Sequence, residues 1–428
     1  MKYHIITFGC QMNKSDSERI SSLFKKIGYK PTSKTERADL VIVVACSVRQ
    51  SAIDRIYGLI PRIEKLKKRP KTILTGCISN PDIKKLKNSF DYILSIKSLK
   101  DWPKFIRKEQ CIHYPNPRED KTEISYFKIE PDYQNKFSAF VPIMTGCDNF
   151  CTFCIVPFTR GPEKNRDHKD IIGEIKNLIK LGYKEIWLLG QNVNSYKSPQ
   201  NKSIDFPELL KLIDKIKGNF WIRFTSSHPK NMTERLIEIM AKSEKITDYL
   251  NLPVQSGNNE ILKKMNRPYN IEQYKKSIKR IRKKIPNIFL STDVIVGFPG
   301  ETKNQFQNTA NLFKEIKYDM AYISRYSPRP QTAAAKIKGS IPEKEKEKRK
   351  KILTNILKKT ALNNNKKYIG KTTLVLPSRQ SKEFLMGKTK DYRTIKFKGH
   401  KNLIGKFTKV KITEALPWGL KGTWIHQS

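Results

Sequence analysis

Three cysteines lie close together near the middle of the chain, in the stretch Cys147-Asp-Asn-Phe-Cys151-Thr-Phe-Cys154. They follow the short apolar run Phe140 to Met144, which is too short for a buried helix by itself and is typical of a strand that ends in a loop. Such a loop can turn three thiolates inward around one metal centre. Thiolates are soft ligands that select iron–sulfur clusters, zinc or copper(I).

The number of these cysteines leaves two kinds of metal centre open. A [4Fe-4S] cluster usually takes four cysteines, so three of them predict a cluster whose fourth iron is open to another ligand. The alternative is a Cys3His zinc site that takes its histidine from elsewhere in the chain. Gly146 before the loop, and Phe150 and Phe153 before the later cysteines, favour a tight and partly dry cluster loop.

Three more cysteines follow predicted strands in the N-terminal third. The apolar patterns predict strands at Lys2 to Phe8, Asp39 to Ala45, Lys71 to Thr75 and Asp91 to Ser95, with helices at Ser15 to Gly28, Ala52 to Lys67 and Pro81 to Asn88. This alternation predicts a doubly wound parallel sheet, which binds ligands outside the carboxyl ends of its strands. Cys10, Cys46 and Cys77 follow the first three strands, so we expect them to meet along one edge. A structural buried cysteine is the alternative for each.

Strand and helix patterns alternate again from about Asn135 to Lys338. The predicted strands are Phe137 to Met144, Glu185 to Leu189, Phe220 to Thr225, Tyr249 to Leu252, Phe289 to Val296 and Met320 to Tyr326. The predicted helices are Lys169 to Leu181, Phe206 to Lys217, Thr233 to Ser243, Glu260 to Met265, Ile271 to Lys284 and Thr302 to Ile316. Six βα units predict a partial (β/α)6 barrel, with its chemistry at the carboxyl ends of the strands.

Polar residues and glycines recur just past these strand ends. The candidates for ligand binding are Gly190, Gln191, Asn192, Gln255, Ser256 and Gly297. A glycine allows a ligand to approach the backbone where a side chain would block it. Tight turns without a ligand are the alternative. Further polar side chains could line the same cavity, although the sequence assigns none of them a catalytic role: Arg160, Arg166, His228, Lys230 and Arg325.

The C-terminal part combines a charged helix with short β-rich runs. The helix is predicted at Ile341 to Asn365, with an apolar stripe of Ile352, Leu353, Ile356 and Leu357 for docking. The runs Lys371 to Leu376, Arg393 to Lys398 and Gly405 to Thr413 predict a small antiparallel β-barrel. The residues that could contact phosphates or stack on bases are Lys388, Lys390, Tyr392, Arg393, Lys396, Phe397, Lys398, Lys401 and Lys406.

These patterns divide the chain into 1–112, 133–363 and 366–428, with a linker over 111–135 in which Cys111 has no predicted role. No apolar run approaches the roughly 18 residues of a membrane span, and the N-terminus becomes polar too soon for a secretory signal. Seven cysteines, an odd number, fit a reducing cytoplasm better than a disulfide framework. The net charge of +45 indicates a nucleic-acid partner, although an A/T-rich genome would also enrich lysine.

The segments around the cysteines resemble those of a known family. Cys154 continues as Ile-Val-Pro-Phe-Thr-Arg-Gly-Pro-Glu. Further matching segments are Thr7-Phe-Gly-Cys-Gln-Met-Asn13, Cys46-Ser-Val-Arg49, Gly76-Cys77, Leu188-Leu-Gly-Gln-Asn-Val-Asn-Ser-Tyr196, Ser226-Ser-His-Pro-Lys230 and Leu252-Pro-Val-Gln-Ser-Gly257. Together they resemble the radical S-adenosylmethionine (SAM) methylthiotransferases, specifically the MiaB type that modifies tRNA, from Tyr3 to nearly the last residue.

The resemblance implies two [4Fe-4S] clusters, one on Cys147, Cys151 and Cys154 that cleaves SAM, and an auxiliary one on Cys10, Cys46 and Cys77 that holds sulfur. It places Gly190, Gln191 and Asn192 near the SAM amino group, Gln255 and Ser256 near the ribose, and Gly297 near adenine. The C-terminal barrel resembles the RNA-binding TRAM domain. The implied partners are the tRNA anticodon stem-loop, an electron donor such as flavodoxin or ferredoxin, and sulfur and cluster-assembly carriers, with no membrane.

The implied reaction is methylthiolation of carbon 2 of N6-isopentenyl (dimethylallyl) adenosine beside the anticodon, giving 2-methylthio-N6-dimethylallyladenosine. Related alternatives are methylthiolation of threonylcarbamoyladenosine or of a ribosomal-protein aspartate. A non-enzyme alternative is an RNA-binding iron–sulfur or zinc redox sensor. Two positions depart from the family. Val44-Ala45 replaces the usual Asn-Thr, so we expect different polarity around the ligand, and Gln331-Thr-Ala-Ala-Ala335 replaces Gly-Thr-Pro-Ala-Ala, so we expect a different local backbone.

Overall fold

The computed structural model describes residues 1–48, 50–109, 111–115 and 125–425. The N-terminal sheet and its helices comprise β1 (Lys2–Thr7), α1 (Gln11–Lys26), β2 (Lys30–Pro31), β3 (Leu40–Cys46), α2 (Gln50–Glu64), β4 (Lys71–Cys77), α3 (Asn80–Leu86), β5 (Tyr92–Leu94), α4 (Trp102–Arg107) and β6 (Ile112–His113). All seven residues of β3 are buried, as expected for a parallel strand covered on both faces.

The strand order of this sheet explains where its ligands can lie. The order is β2-β1-β3-β4-β5-β6, with every pair parallel. The chain winds to one side of β1 through β2 and then to the other side through β3, so a switch point lies between β1 and β3. In open α/β sheets this crevice, outside the carboxyl ends of the strands, is the usual place for a ligand. The predicted doubly wound sheet is confirmed.

The central part forms a partial barrel of parallel strands. Its elements are β7 (Ser138–Pro142), β8 (Met144–Thr145), α5 (Val156–Thr159), β9 (Lys164–Asn165), α6 (His168–Lys180), β10 (Glu185–Leu189), α7 (Phe206–Asp214), β11 (Trp221–Phe224), α8 (Glu234–Lys242), β12 (Tyr249–Asn251), α9 (Asn259–Lys264), α10 (Ile271–Lys284), β13 (Phe289–Val296), α11 (Lys303–Ile316) and β14 (Met320–Arg325). Strands β7, β10 and β11 form one run and β12, β13 and β14 another, and a parallel bridge from Ile222 to Ile246 joins them.

Two apolar cores hold these layers together. One lies between the barrel strands and their outer helices, and includes Ile186, Leu188 and Ile222. The other joins the inward-facing barrel residues Trp187 and Tyr249 to α1 and the residues around Tyr126. The N-terminal sheet therefore packs against the barrel as part of a shared core, which places the ends of both sets of strands near each other.

The C-terminal part consists of α12 (Glu343–Lys366), β15 (Thr372–Ser381), β16 (Phe384–Thr389), β17 (Thr394–Lys398), β18 (Thr408–Leu416) and β19 (Gly419–Trp424). The strands close into a barrel in the order β15-β16-β17-β19-β18, so the predicted barrel is confirmed. Its pairs are antiparallel apart from β17 and β19, which are parallel. Because an odd number of strands cannot alternate in direction around a closed ring, one neighbouring pair of these five has to be parallel.

Several predicted surface roles in this part are wrong. Phe397 is 1% exposed inside the barrel, so it cannot stack on a base. Arg393 is buried and pairs with Asp319 and Asp391. Tyr392 packs against Trp187 and Tyr249. Tyr392 and Arg393 join the two barrels, and Phe397 fills the core of the C-terminal one. Lys396 and Lys398 instead lie over the ring of Phe384 on the outer face of β16 and β17.

Two other expectations are corrected. Helix α12 docks through Leu353, Leu357 and Ala361, while Ile352 of the predicted stripe is 38% exposed. The predicted linker over 111–135 lies partly outside the described residues. In its described part, Ile112–His113 adds a strand to the N-terminal sheet and Tyr126 is buried, so the structure there is more than a spacer. Cys111 is exposed.

Candidate active site between two cysteine triads

The N-terminal triad, which we define as Cys10, Cys46 and Cys77, gathers at the switch point of the sheet. Cys10 caps the N-terminus of α1, and Cys46 and Cys77 are the last residues of β3 and β4, where they are register partners. The loop after β1 runs close to β3: a Cβ placed on Gly9 would lie 3.0 Å from the Cβ of Cys46. The structure therefore brings together the three cysteines that the strand pattern predicted.

Asn13 links the members of this triad, and the sequence patterns did not identify it as a contact residue. Its Oδ1 accepts from the Cys10 thiol at 3.3 Å, and its Nδ2 donates to the Ala45 carbonyl at 2.9 Å and lies 4.0 Å from the Cys77 sulfur. Since the bond at Ala45 uses the backbone, the departure from Asn-Thr leaves it intact. The Cys10-Gln-Met-Asn13 segment carried this residue, but nothing in it pointed to the bond. Arg49, at the end of another matching segment, lies outside the described residues.

The central triad, which we define as Cys147, Cys151 and Cys154, lies on the loop between β8 and α5. The Cys154 amide donates to the Cys151 carbonyl at 2.9 Å, which closes a tight turn. Gly146 has a φ of +79°, and a Cβ there would lie 1.9 Å from the Pro162 carbonyl oxygen, so the loop requires glycine at this point. Only one of the two aromatic residues covers the loop, since Phe153 packs on a small core cluster but Phe150 is 47% exposed.

Two polar side chains that the sequence analysis missed contact the central triad. Asn149 donates to the Cys147 sulfur at 3.2 Å, and the buried Arg267 donates to the Cys151 sulfur at 3.3 Å. Other nitrogens of Arg267 donate to the Tyr269 hydroxyl and to the Pro253 carbonyl, which fixes the guanidinium in place. Arg267 lies far from the triad in sequence, so spacing alone could not reveal it.

The buried surroundings of these thiols favour binding of a positively charged metal centre. Burial raises the pKa of Cys10 and of Cys147, and it raises the pKa of Cys154 to about 12. The pKa of Cys77 is raised by its hydrogen bond with Cys46 and by burial. Thiolates at these positions therefore need a compensating cation, and metal ions supply that charge to coordinating sulfurs. Within the described ranges, no three His, Cys, Asp or Glu side chains surround the position of a single metal ion.

The segment after β10 joins the central triad to the strand ends. Gly190 packs so tightly that a Cβ would lie 2.4 Å from Met144. The Gln191 Oε1 accepts from the Gly146 amide at 2.7 Å, directly before the first cysteine of the loop. Asn192 is buried, and its Oδ1 has no hydrogen-bond partner among the described residues. Of these three predicted residues, Gln191 contacts the start of the cysteine loop and Gly190 packs on Met144 just before it.

The remaining predicted ligand residues follow β12 and β13. Gln255 has a φ of +68° and bridges to Val294, so its backbone continues the parallel sheet. Ser256 is fully buried, and its Oγ accepts from the Asn258 amide at 3.3 Å. At Gly297 the space that a Cβ would fill is taken by Lys346, 2.4 Å away, so on that side of the backbone the glycine makes room for a side chain of α12.

His228 presents a free polar atom at the end of β11. Burial and the nearby Arg267 and Lys230 lower the pKa of His228 to about 2, so the ring is neutral. Its Nδ1 accepts from the Lys230 amide at 3.2 Å, which places the proton on Nε2. That Nε2–H is buried without a partner among the described residues. By contrast, Arg166 pairs with Glu174, and Arg325 pairs with Glu343 and Glu347 on α12.

Three polar atoms without a hydrogen-bond partner among the described residues lie in the segments that follow barrel strands. They are Asn192 Oδ1 after β10, and Ser227 Oγ and His228 Nε2 after β11. Buried polar groups are generally hydrogen-bonded, so a group of such atoms marks a place for a polar ligand. The amino, carboxylate and ribose groups of SAM match this mixture of donors and acceptors.

None of the helices that the structure describes combines the length and the apolar composition that crossing a bilayer demands.

Comparisons with known proteins agree with this geometry. Family models match residues 141–313 as the radical SAM superfamily, 2–96 as uncharacterized protein family UPF0004 and 366–425 as the TRAM domain. A tRNA-2-methylthio-N(6)-dimethylallyladenosine synthase from Clostridium botulinum strain Langeland is 42% identical over 99% of this chain and 97% of its own length. One from Dictyoglomus thermophilum is 39% identical over 100% of this chain and 99% of its own.

Solved structures share the fold at low sequence identity. The radical SAM methyltransferase TsrM from Kitasatospora setae, with cobalamin and a [4Fe-4S] cluster bound, has a TM-score of 0.56 at 12% identity, covering 78% of this chain and 77% of that one. The cobalamin-dependent SAM radical enzyme OxsB has a TM-score of 0.51 at 11% identity, covering 83% and 56%. At this identity the likeness concerns the fold alone.

Proposed function

Since the chain belongs to the family of the tRNA-2-methylthio-N(6)-dimethylallyladenosine synthases, we propose that it replaces the hydrogen on carbon 2 of N6-dimethylallyladenosine in tRNA by a methylthio group. It is a radical SAM methylthiotransferase that uses SAM and [4Fe-4S] chemistry. The observation that carries the assignment is that its likeness to these enzymes spans the whole chain, including both cysteine triads and the C-terminal barrel.

We assign the central triad to the cluster that binds SAM. Three cysteine ligands leave one iron of a [4Fe-4S] cluster open, and the unpartnered polar atoms at the strand ends provide donors and acceptors beside it. Together the cluster and SAM supply a radical able to break an aromatic C–H bond, which no acid or base in a side chain could activate. The residues assigned to SAM are Gly190, Gln191, Asn192, Gln255, Ser256 and Gly297.

The role of the chain's own residues is to hold and shield this chemistry. Gln191 and Gly146 fix the start of the cysteine loop, and Arg267 holds Cys151. Burial excludes water from the site, which protects a reactive radical from side reactions. The neutral Nε2–H of His228 is available as a hydrogen-bond donor, not as an acid, because the pKa of its ring is lowered to about 2 by burial.

We assign the N-terminal triad to a second, auxiliary [4Fe-4S] cluster that holds the sulfur to be transferred. The support is the convergence of Cys10, Cys46 and Cys77 at the switch point, with Asn13 between them. The three parts of the chain would then be 1–112 with the auxiliary cluster, 133–363 with the SAM cluster, and 366–428 for tRNA. An electron donor such as flavodoxin or ferredoxin, and sulfur and cluster-assembly carriers, are further proposed partners, with the cytoplasm as the location.

The tRNA is proposed to bind through its anticodon stem-loop, with the C-terminal barrel supplying phosphate contacts. Lys396 and Lys398 over Phe384 combine charge with an aromatic face on the outside of that barrel. The net charge of +45 supports an RNA partner. A redox sensor would bind metal and RNA without cleaving SAM, and the polar atoms beside the central triad favour the enzyme over the sensor.

The test is mass spectrometry of tRNA nucleosides from a host that lacks its own enzyme, with and without this gene and with a Cys147→Ala control. We expect 2-methylthio-N6-dimethylallyladenosine with the wild-type gene and none with the control. If only the threonylcarbamoyl derivative gained the methylthio group, the reaction class would stand and the substrate would be wrong. No modification by protein with reconstituted clusters would favour the ribosomal-protein or sensor alternatives.

A further inference from the structure

Arg160 is a buried arginine that reaches from the central part of the chain into the N-terminal triad. It follows α5, shortly after Cys154, and its side chain is 2% exposed. Its Nε donates to the Cys77 sulfur at 2.7 Å, and its Nη2 lies 2.5 Å from the Asp16 carboxylate. The Arg160 guanidinium therefore contacts Cys77 of the N-terminal triad, while the Arg160 backbone belongs to the segment that carries the central triad.

The carboxylate that pairs with Arg160 belongs to Asp16, which lies on the helix capped by Cys10 of the same triad. Asp16 is 1% exposed and lies on α1, the helix that Cys10 caps. Burial of an arginine is costly unless the charge is paired and hydrogen-bonded. Asp16 supplies the countercharge, yet the Nε–H is directed to sulfur. An ion pair that served only to join the two parts of the chain would not require a cysteine as its third member.

The surroundings make this N–H···S contact strong. Tyr114 donates to the Gly76 carbonyl at 2.6 Å, on the residue before Cys77. Tyr126 is 1% exposed in the adjoining core. In such a dry environment a charge-assisted hydrogen bond is stronger than it would be in water. Hydrogen bonds to ligand sulfurs are one of the features that set the potential of an iron–sulfur cluster.

We propose that Arg160 is a positioning residue that raises the reduction potential of the cluster on the N-terminal triad by holding the Cys77 thiolate through Nε–H, with Asp16 fixing the guanidinium. The inference rests on the proposed function, because it takes Cys77 as a cluster ligand. A positive charge and a donor beside the thiolate stabilise the more negative, reduced form of the cluster. Arg160 thus sets the state of the auxiliary cluster from the part of the chain that carries the SAM cluster.

The central triad offers a matched control. Arg267 donates to the Cys151 sulfur at 3.3 Å and is also buried, but it contacts the other triad. The two arginines therefore permit a reciprocal experiment, in which each substitution is expected to change only the cluster that its side chain touches.

The experiment is a redox titration of the holoenzyme followed by electron paramagnetic resonance. The variants are Arg160→Gln, Arg160→Lys, Asp16→Asn and Arg267→Lys, and a variant with all three central cysteines changed to Ala assigns the auxiliary signal. We expect Arg160→Gln to shift the midpoint potential of the auxiliary cluster to more negative values and to leave that of the SAM cluster unchanged. Arg160→Lys should produce a smaller shift in the same direction. Asp16→Asn removes a buried negative charge and keeps the arginine, so it should shift the auxiliary potential to less negative values, and Arg267→Lys should move only the SAM cluster.

Other results would overturn the inference. Unchanged auxiliary potentials with a lowered melting temperature would assign Arg160 a purely structural role. Equal shifts of both clusters would indicate general loosening. If Arg160→Gln fails to fold or to retain iron, wild-type potentials in Arg160→Lys and Asp16→Asn contradict the proposal. Wild-type protein that holds only the SAM cluster after reconstitution would overturn the two-cluster assignment and this inference together, whereas methylthiolation by wild type with no potential shift in the variants overturns the inference alone.

Discussion

The Gln191 side chain accepts a hydrogen bond from the backbone amide of Gly146 at 2.7 Å, which ties the segment after β10 to the first residue of the cysteine loop. Gln191→Leu removes the acceptor and leaves the amide unsatisfied, at a cost of about 1–3 kcal/mol of stability. We expect lower iron content of the central triad and slower SAM cleavage, measured by iron assay and by release of 5′-deoxyadenosine. Gln191→Glu retains an acceptor, and equal losses in both variants would contradict the role of this bond.

Gln331 takes a φ of +75°, in the left-handed region that glycine favours. The glycine of the family is absent here, yet Gln331 takes a conformation that glycine adopts without strain. Since this conformation costs an L residue about 1–2 kcal/mol and glycine loses about 0.5–1 kcal/mol in chain entropy, Gln331→Gly should stabilise the protein by about 0.5 kcal/mol.

The measurement is the midpoint of urea unfolding. The control is Gln307→Gly within α11, where glycine should instead destabilise by about 1 kcal/mol. Destabilisation of similar size in both variants would mean that the turn at Gln331 is not strained.

The raised pKa of the Glu18 carboxyl leads us to expect that the free energy of unfolding depends on pH. Burial raises the pKa of Glu18 from 4.5 to about 7, in spite of Arg19 beside it. A carboxyl whose pKa is raised on folding favours the folded state in its protonated form. Its contribution is therefore fully present below pH 4.5 and is lost as the pH rises through about 7.

Glu18→Gln should consequently be more stable than the wild type at pH 8, by on the order of 1–3 kcal/mol, with a flatter profile between pH 4.5 and 7. Chemical denaturation at several pH values checks this. Asp39→Asn, at a carboxyl in the same sheet region whose pKa is lowered by its hydrogen bond to Lys68, is the contrasting variant. A parallel pH profile for Glu18→Gln and wild type would refute the assignment.

Lys396 and Lys398 should contribute to tRNA affinity. Replacement of both by Ala removes two cations from the face around Phe384, so we expect about tenfold weaker binding of tRNA and a salt dependence reduced by about 1 per lysine. Filter binding across a range of salt concentrations measures both. Lys65 and Lys67 provide the matched control pair, because they lie just after α2, at the end of the N-terminal sheet that is opposite to the N-terminal triad. Equal loss of affinity from the two double replacements would mean that tRNA binds through the overall positive charge and not through a defined site on the C-terminal barrel.

The sequence predicted the positions of the cysteines well, because strand periodicity and parallel order together force Cys10, Cys46 and Cys77 to one edge. Strands β10 and β13 have the predicted bounds for the same reason, since their apolar runs end sharply. Side-chain orientation in the C-terminal barrel was harder to predict. Phe397 and Lys396 are neighbours in sequence, and only the register of β17 decides which of them faces the core.

Two contacts that complete the site could not be predicted, because they join residues far apart in sequence. Arg267 and the Nε–H of Arg160 each reach a cysteine through the tertiary fold, and charged residues of this type occur throughout so basic a chain. Asn13 is a sequence neighbour of Cys10, but its bond to the Ala45 carbonyl also depends on the tertiary fold. The unpartnered Nε2–H of His228 was equally hidden, since it depends on which ring nitrogen the Lys230 amide contacts.

The distance in sequence between Cys77 and Arg160, 83 residues, sets an order of events during protein synthesis. The strands that carry Cys10, Cys46 and Cys77 leave the ribosome well before Arg160, and domains generally fold in the order in which they emerge. If an iron–sulfur cluster were inserted at that stage, Cys77 and Asp16 would still lack the guanidinium of Arg160. The N-terminal triad thus acquires its final electrostatic surroundings only after the central barrel has folded, and a cluster held there would reach its final environment only with a later part of the chain.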